Sequence, residues 1–453
     1  MERLQVKLLL FAICLSTFAV KLSIQEVPCG NITTDQPTVW LGSPPYCIEN
    51  SSFCGLYGFE YVCSDPQGEM GTDMCQNGTK VLCAVPHPTS LPEPTPLHVF
   101  KVLSYNIYEL SYLYYQSGQR ERSCRIPFHV FDGQLDVDAI VWNEAFMGGC
   151  FPREISLRDL LRYHGFEYST PTVGQDSISL KQPENGGAFI ASRWPIEYYD
   201  EHIYVAMDRT TSDQLSSKGV MYAKINKTLN GESQTYHLFG THMQAQQGPT
   251  RDAVRAQQAV EMYRHMLNQS IPTSEPVIYA GDFNADKINN EQNIQDVLTA
   301  LDASMPHIIG DVNVTFDREN NDLTNDNGVS EWLDYVVSSN QHRQPNKATL
   351  QVMVYEESEP FPACTLSGLL EPGYTYPNSE DCIRTEWIQD LSDHYAVLGI
   401  LDFNANLTTI PSPTTEQYIQ PTEASASSKV VPYNWQLFFS AFIITYKTTL
   451  SVL

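Results

Sequence analysis

The chain has 453 residues, with 27 Lys and Arg against 53 Asp and Glu, a formal net charge of -26. That balance argues against gripping a phosphate backbone through a basic surface, so nucleic acid is not an expected partner. An acidic protein can still act on a phosphodiester if a metal ion supplies local positive charge.

In chain order, "MERLQVKLLLFAICLSTFAVK" places Arg3 and Lys7 before an apolar run from Leu8 to Ala19. The run is too short for a bilayer and right for a secretory signal peptide over 1–19. Its removal takes Cys14 and leaves ten cysteines, an even number that suits full pairing in an oxidising compartment. Six of these, Cys29, Cys47, Cys54, Cys63, Cys75 and Cys83, define a cysteine-rich module over 29–83, expected to be loop-rich with three disulfides. "PHPTSLPEPTP", 86–96, is a stiff proline-rich linker. Sequons at Asn31, Asn50, Asn77, Asn226, Asn268, Asn313 and Asn406 fit glycosylation of a secreted chain.

From 98 to 403, strand-like runs recur: "HVFKVLSYN", "DAIVW", "GAFIASRW", "VMYAKIN", "YHLFGTH", "VIYAGDFN", "WLDYVVSS" and "YAVLGILDF". Helical patterns intervene, clearest over 250–267, where Val254, Gln257, Val260, Tyr263 and Leu267 predict an apolar stripe. The pattern predicts an α/β domain of two packed sheets flanked by helices, with function at the strand ends. A Ser/Thr/Pro stalk (404–428) and a hydrophobic tail (429–453) follow. The tail is expected to be a GPI-attachment signal, with a plain disordered tail or a weak membrane helix as competing readings.

Five apolar runs end in polar side chains: Asn106 in "VLSYNIY", Glu144 in "IVWNEAF", His242 in "FGTHMQ", Asp282 and Asn284 in "AGDFNAD", and Asp393-His394 in "LSDHYAV". Each alone could cap a turn or sit satisfied in a core. Together they are hard to explain by packing, because burying such groups unpaired costs about 1–3 kcal/mol apiece. A metal ion and a phosphate would satisfy them jointly. Carboxylate and carboxamide oxygens suit Mg2+, or Mn2+ as a substitute, with Glu144 the best direct ligand and Asn106 its neighbour.

The strings N-I-Y, W-N-E-A-F, G-T-H-M-Q, G-D-F-N-A-D and S-D-H-Y, in this order, resemble the endonuclease/exonuclease/phosphatase superfamily, and within it the secreted Mg2+-dependent neutral sphingomyelinases of bacteria. The likeness extends through "ENGGAFIASRWPI", "SSKGVMYAKI", "ADKINNE", "DASMP" and "EWLDYVVSS", from about Val99 to Asp402. It implies a four-layer α/β/β/α sandwich of deoxyribonuclease-like fold that hydrolyses sphingomyelin to ceramide and phosphocholine at a membrane surface. By the same likeness Glu144 and Asn106 attend the metal, Asp282 and Asn284 position water and phosphoryl oxygens, and His394 is the general base with Asp393 beside it. His242 would stabilise developing charge or help protonate the leaving group, and Asp334 would orient His394.

Two departures stand out. The relatives' second, edge metal site corresponds to Met147-Gly148 and Glu184-Asn185, where only Glu184 keeps an acid. In place of their exposed aromatic hairpin, Cys364 and Cys382 bracket "TLSGLLEPGYTYPNSED". Their pairing would present Leu366, Leu369, Leu370 and Tyr374 to a bilayer, against the plainer reading of an ordinary stapled loop. Cys124 and Cys150 are expected to pair and brace the loop bearing Glu144. A secreted deoxyribonuclease is the nearest alternative, although no Arg/Lys cluster for a minor groove is evident. An inositol-polyphosphate phosphatase ranks behind it, since the place of its Trp-Cys-Asp-Arg string holds "EWLDY". A catalytically inactive adhesion module is a further alternative. No protein partner can be inferred from the sequence.

Overall fold

A computed structural model describes residues 28–404, apart from 30–33, 43–45, 49–50, 68–76, 88–92, 112–114, 133–135, 147, 151–154, 178, 180–181, 325–327 and 368–381. The signal peptide, the tail, the sequons at Asn31, Asn50 and Asn406, and the expected membrane contacts Leu369, Leu370 and Tyr374 lie outside the described residues.

The N-terminal part contains β1 (Thr38–Leu41), β2 (Tyr46–Ile48), β3 (Glu60–Asp65) and β4 (Asn77–Ala84), joined in one sheet around β4. This is more regular than the loop-rich module expected from sequence, because Val39 and Leu41 in "TVWL" and Val81 and Cys83 in "TKVLCA" recur at every second residue and join one small core. Disulfides Cys29–Cys63 and Cys54–Cys83 staple it, and Cys47 is disulfide-bonded as well. That core continues into the next segment. Val39, Leu41, Tyr57 and Phe59 cluster with Ile155, Leu160 and the Cys124–Cys150 bridge. Thr95, at the end of the proline-rich stretch, is buried against Asp138.

The larger part continues with β5 (Val99–Glu109), α1 (Gln119–Asp132), β6 (Ala139–Ala145), α2 (Leu157–Tyr163), β7 (Tyr168–Ser169), β8 (Phe189–Ser192) and β9 (Ile196–Ile203). Then come β10 (Gly219–Leu229), β11 (Glu232–His242), α3 (Pro249–Asn268), β12 (Val277–Asp282), α4 (Glu291–Leu301), β13 (Ala303–Ser304) and β14 (His307–Ile309). The last elements are β15 (Asp334–Ser339), β16 (Lys347–Met353), β17 (Glu356–Ser367), β18 (Cys382–Asp390) and β19 (Ala396–Asp402). Two sheets form, in the orders β13-β15-β12-β11-β10-β9 and β14-β16-β19-β5-β6-β8-β7. Strands β17 and β18 pair separately as a hairpin closed by Cys364–Cys382.

Alternation along the strands assigns the layers. Val102, Val141 and Ile190 of the seven-stranded sheet face Leu238, Ile278 and Val336 of the six-stranded sheet, whose core also takes Ala259 and Met262 of α3 and Val297 of α4. The neighbouring residues Leu103, Ile140 and Phe189 point the other way, onto Ile126 and Val130 of α1 and Leu161 of α2. The result is a four-layer α/β/β/α sandwich.

Helix α3 covers the expected span, but its buried stripe is Arg255, Gln258, Ala259, Met262, His265 and Met266. Gln257 and Leu267 of the predicted stripe are exposed. The face turns by about one residue because Arg255 and Gln258 are needed inside, where they bond the backbone of Gln244.

Candidate active site

The polar side chains meet where the central strands of both sheets end. Register does most of the work: His242 of β11 lies opposite Asp282 of β12, which in turn lies opposite Asp334 of β15. In the other sheet Asn106 of β5 lies opposite Asn143 of β6, one residue before Glu144. Gly281 makes the first pairing feasible. Its φ is +143° and a Cβ there would sit 1.9 Å from the Thr241 carbonyl oxygen, so no other residue fits. Glu144 and Asn284 also have positive φ, 57° and 53°, an uncommon backbone region for such residues.

Asn106 donates to Asp282 Oδ2 at 3.1 Å and accepts from the Tyr108 N–H at 3.0 Å. Asp282 Oδ1 accepts from the Asn284 N–H at 2.8 Å, and the Asn284 amide donates to the Met243 carbonyl at 3.3 Å. His394 Nδ1 and Asp334 Oδ2 are 2.8 Å apart, and His394 Nε2 is 4.0 Å from Asp282 Oδ2. Asp393 is buried beside them, its Oδ1 3.4 Å from the Ser392 hydroxyl oxygen. His242 Nε2 lies 3.5 Å from Asp282 Oδ2 and 3.8 Å from Glu144 Oε1.

The two histidines are tuned in opposite directions. Burial and then Lys218 drive His242 down to about 3, so its ring is neutral. Burial also disfavours charge on His394, but Asp334, Asp393 and Asp282 outweigh it and hold its pKa well above the usual histidine range. With Nδ1–H committed to Asp334, His394 presents Nε2 as its exchangeable site. Such a split between paired titratable groups marks an acid–base site.

Four carboxylates share this buried end, and the protein's cations compensate them incompletely. Burial, reinforced by Asp393, pushes Glu144 up to about 7, and burial pushes Asp334 up to about 6. Glu144 Oε2 and Asp334 Oδ1 are buried without a hydrogen-bond partner among the described residues. Oxygens of Asp282 and Asp334 and a nitrogen of His394 lie within 4.8 Å of one another, a second place where a cation could bind. There the Asp334–His394 hydrogen bond already engages two of the three members, although Asp334 keeps Oδ1 open just as Glu144 keeps Oε2. A hard divalent cation fits Glu144 with Asn106 beside it.

No family model matches the chain. Sphingomyelinase C of Bacillus cereus is 31% identical over 327 residues, covering 67% of this chain and 89% of that relative. The chain belongs to the sphingomyelinase C family. Among solved structures, a beta toxin mutant from Staphylococcus aureus with bound magnesium ions is 26% identical with a TM-score of 0.54, covering 66% of this chain and 98% of that one. SmcL is 27% identical with a TM-score of 0.53, covering 67% and 99%.

Two site residues escaped the sequence reading. Lys218 is buried and its ammonium donates to Asp213 at 3.0 Å, to the Met243 carbonyl at 2.9 Å and to His242 Nε2 at 3.1 Å. A lone lysine before a strand looks like a solvated cation, and its only signal was its place inside "SSKGV". Asn143 bridges the sheets, donating to the Thr241 carbonyl at 2.8 Å and accepting from the Asp282 N–H at 3.2 Å. A carboxamide inside the apolar run "AIVWNEA" was its signal.

Glu184 is half-buried in an isolated bridge to Ser216, and Met147 lies outside the described residues. Asn268 and Asn313 are exposed, whereas Asn226 is half-buried with its amide on Glu197 at 2.8 Å. The side chain of Asn77 is not described. Leu366 is exposed on the hairpin.

Proposed function

We propose that the protein is a Mg2+-dependent phosphodiesterase of phospholipase C type that hydrolyses sphingomyelin to ceramide and phosphocholine at a membrane surface outside the cell. The observation that carries the reading is the Asp334–His394 pair set against Asp282, in a buried pocket where Glu144 has an oxygen free for a cation. Family membership and the magnesium in the beta toxin structure support the same chemistry.

Bound by Glu144 with Asn106 beside it, magnesium would supply Lewis-acid stabilisation of phosphoryl charge. The side chains do the rest. Asp334 holds His394 so that Nε2 takes a proton from water as that water attacks phosphorus opposite the ceramide oxygen. Asp282 and Asn284 position the water and the phosphoryl oxygens. His242 accepts from Lys218 at Nε2, the same atom that faces Asp282 and Glu144, which leaves its ring proton on the buried Nδ1. The neutral ring is therefore no proton source for the leaving group, and it stabilises developing charge through the Lys218 ammonium that it holds beside these carboxylates. The phosphorus–oxygen bond to ceramide breaks, and the departing oxygen is protonated from solvent.

The extracellular setting rests on the signal-peptide pattern, the sequons and the disulfides. For the tail we keep the GPI-signal reading. The membrane reading draws on the hairpin, where Ile383 and Trp387 are 65% and 67% exposed alongside Leu366. The deciding test offers the protein sphingomyelin vesicles and, separately, DNA, each with magnesium and with EDTA. Phosphocholine release that needs magnesium, with DNA intact, is expected. DNA cleavage without lipid hydrolysis would overturn the proposal.

A further inference from the structure

Arg122, in the first turn of α1, is fully buried yet touches none of the groups assigned above to substrate or metal. All five of its N–H donors are used. Nη1 donates to the carbonyls of Ile107 and Leu391, each at 2.9 Å. Nη2 donates to the Tyr108 carbonyl at 2.6 Å and the Ser117 hydroxyl at 2.8 Å, and Nε to the Ser117 carbonyl at 2.9 Å. Ile107 and Tyr108 directly follow Asn106, and Leu391 stands three residues before His394. One planar guanidinium thus ties together the two segments that present the metal side and the base side of the site. The Ser392 hydroxyl crosses the same gap to the Asn106 carbonyl at 2.6 Å.

The same helix is fastened from outside. Cys124 is bonded to Cys150, six residues beyond Glu144. Arg125, one turn after Arg122, donates to the carbonyls of Leu56 and Gly55 in the cysteine-rich module, the second at 2.8 Å. Its Nε lies 2.8 Å from Glu357 at the base of the hairpin. At Gly118, just before the helix, φ is +68° and a Cβ would come within 2.5 Å of Ala363 on β17, so helix and hairpin approach closely.

We propose that α1 is a brace through which the cysteine-rich module sets the catalytic geometry, with Arg122 as the positioning residue. The inference rests on the phosphodiesterase reading. A guanidinium fork suits the role because it fixes several carbonyl oxygens in one plane, which a lysine ammonium cannot do. Displacing either segment by about 1 Å costs roughly 10²-fold in rate.

The test uses the full chain with magnesium and a soluble substrate, p-nitrophenylphosphorylcholine, so that membrane binding does not enter. Arg122→Ala and Arg122→Lys are expected to lower kcat by roughly 10²-fold, with KM within about twofold. Added guanidinium ion is expected to restore part of the kcat of Arg122→Ala and none of that of Arg122→Lys. Arg125→Ala should give a smaller fall in kcat, again without a change in KM.

A purely structural arginine would lower the unfolding temperature and leave kcat intact well below it, with no response to guanidinium. That result overturns the role of Arg122, and an unchanged kcat in Arg125→Ala overturns the link to the module. Should Arg122→Ala fail to fold, Arg122→Lys decides through the same division between kcat and KM. A wild-type chain inactive on both this substrate and sphingomyelin would instead remove the phosphodiesterase reading.

Discussion

Asp334 and His394 form the most consequential pair of residues in the cleft, because their 2.8 Å contact fixes both ring orientation and proton affinity. A base must be deprotonated to act, so kcat should rise with pH through the pKa of His394. Asp334 raises that pKa, so its loss moves the rise to lower pH. Asp334→Asn, assayed with saturating magnesium, should therefore show a lower plateau and an acidic limb shifted toward acid. His394→Ala should lose at least ~10²-fold in kcat at every pH. A limb that stays in place in Asp334→Asn would show that another group titrates. The residues legible from sequence were among those whose polarity ends an apolar run, as Glu144 does in "IVWNEAF" and Asp282 after "VIYAG", although Asn143, in the first of these strings, was passed over. Lys218 and Arg122 were not legible, because each is a common surface residue type whose burial depends on partners distant in sequence, Met243 for one and Leu391 for the other.

At the scale of elements, the β17–β18 hairpin packs Phe361, Ala363 and Ile388 inward and carries Leu366, Ile383 and Trp387 outward. A membrane-facing hairpin should lose vesicle binding when Ile383 and Trp387 are both replaced by Asp, while hydrolysis of a soluble substrate stays within about twofold. Unchanged sedimentation with sphingomyelin vesicles would count against it. The elements also show what periodicity can mislead. Helix α3 was legible in extent, but its inward face carries Arg255 and Gln258, polar groups that serve the loop after His242, so an apolar count placed the face one residue away. In the N-terminal module the cysteines drew the eye from short alternating runs that pair as a sheet.

For the whole molecule, the crowding of acids at the strand ends has a cost in stability. Glu144 and Asp334 have folded pKa values, about 7 and about 6, above their ordinary ones. Groups shifted upward favour the fold fully below their unfolded pKa, near 4, and that contribution is lost as pH rises through the folded values. The metal-free chain should accordingly lose stability between about pH 4 and pH 7 from these groups, and magnesium should restore it. At a hundred times its dissociation constant the ion would add about 2.7 kcal/mol. Scanning calorimetry with magnesium and with EDTA should show a rise in Tm at pH 7.5 that shrinks below pH 5. Glu144→Gln should abolish the rise and stabilise the metal-free chain at neutral pH. An equal magnesium effect at both pH values would refute this account.

The glycine at 281 carries a last implication. Because a bare backbone there lets two central strands lie so close that their terminal histidine and aspartate are neighbours in one ladder, His242 and Asp282 cannot drift apart through loop motion alone. Separating them means dismantling the heart of the sandwich. The contact between these two side chains should therefore persist on heating until the chain melts cooperatively.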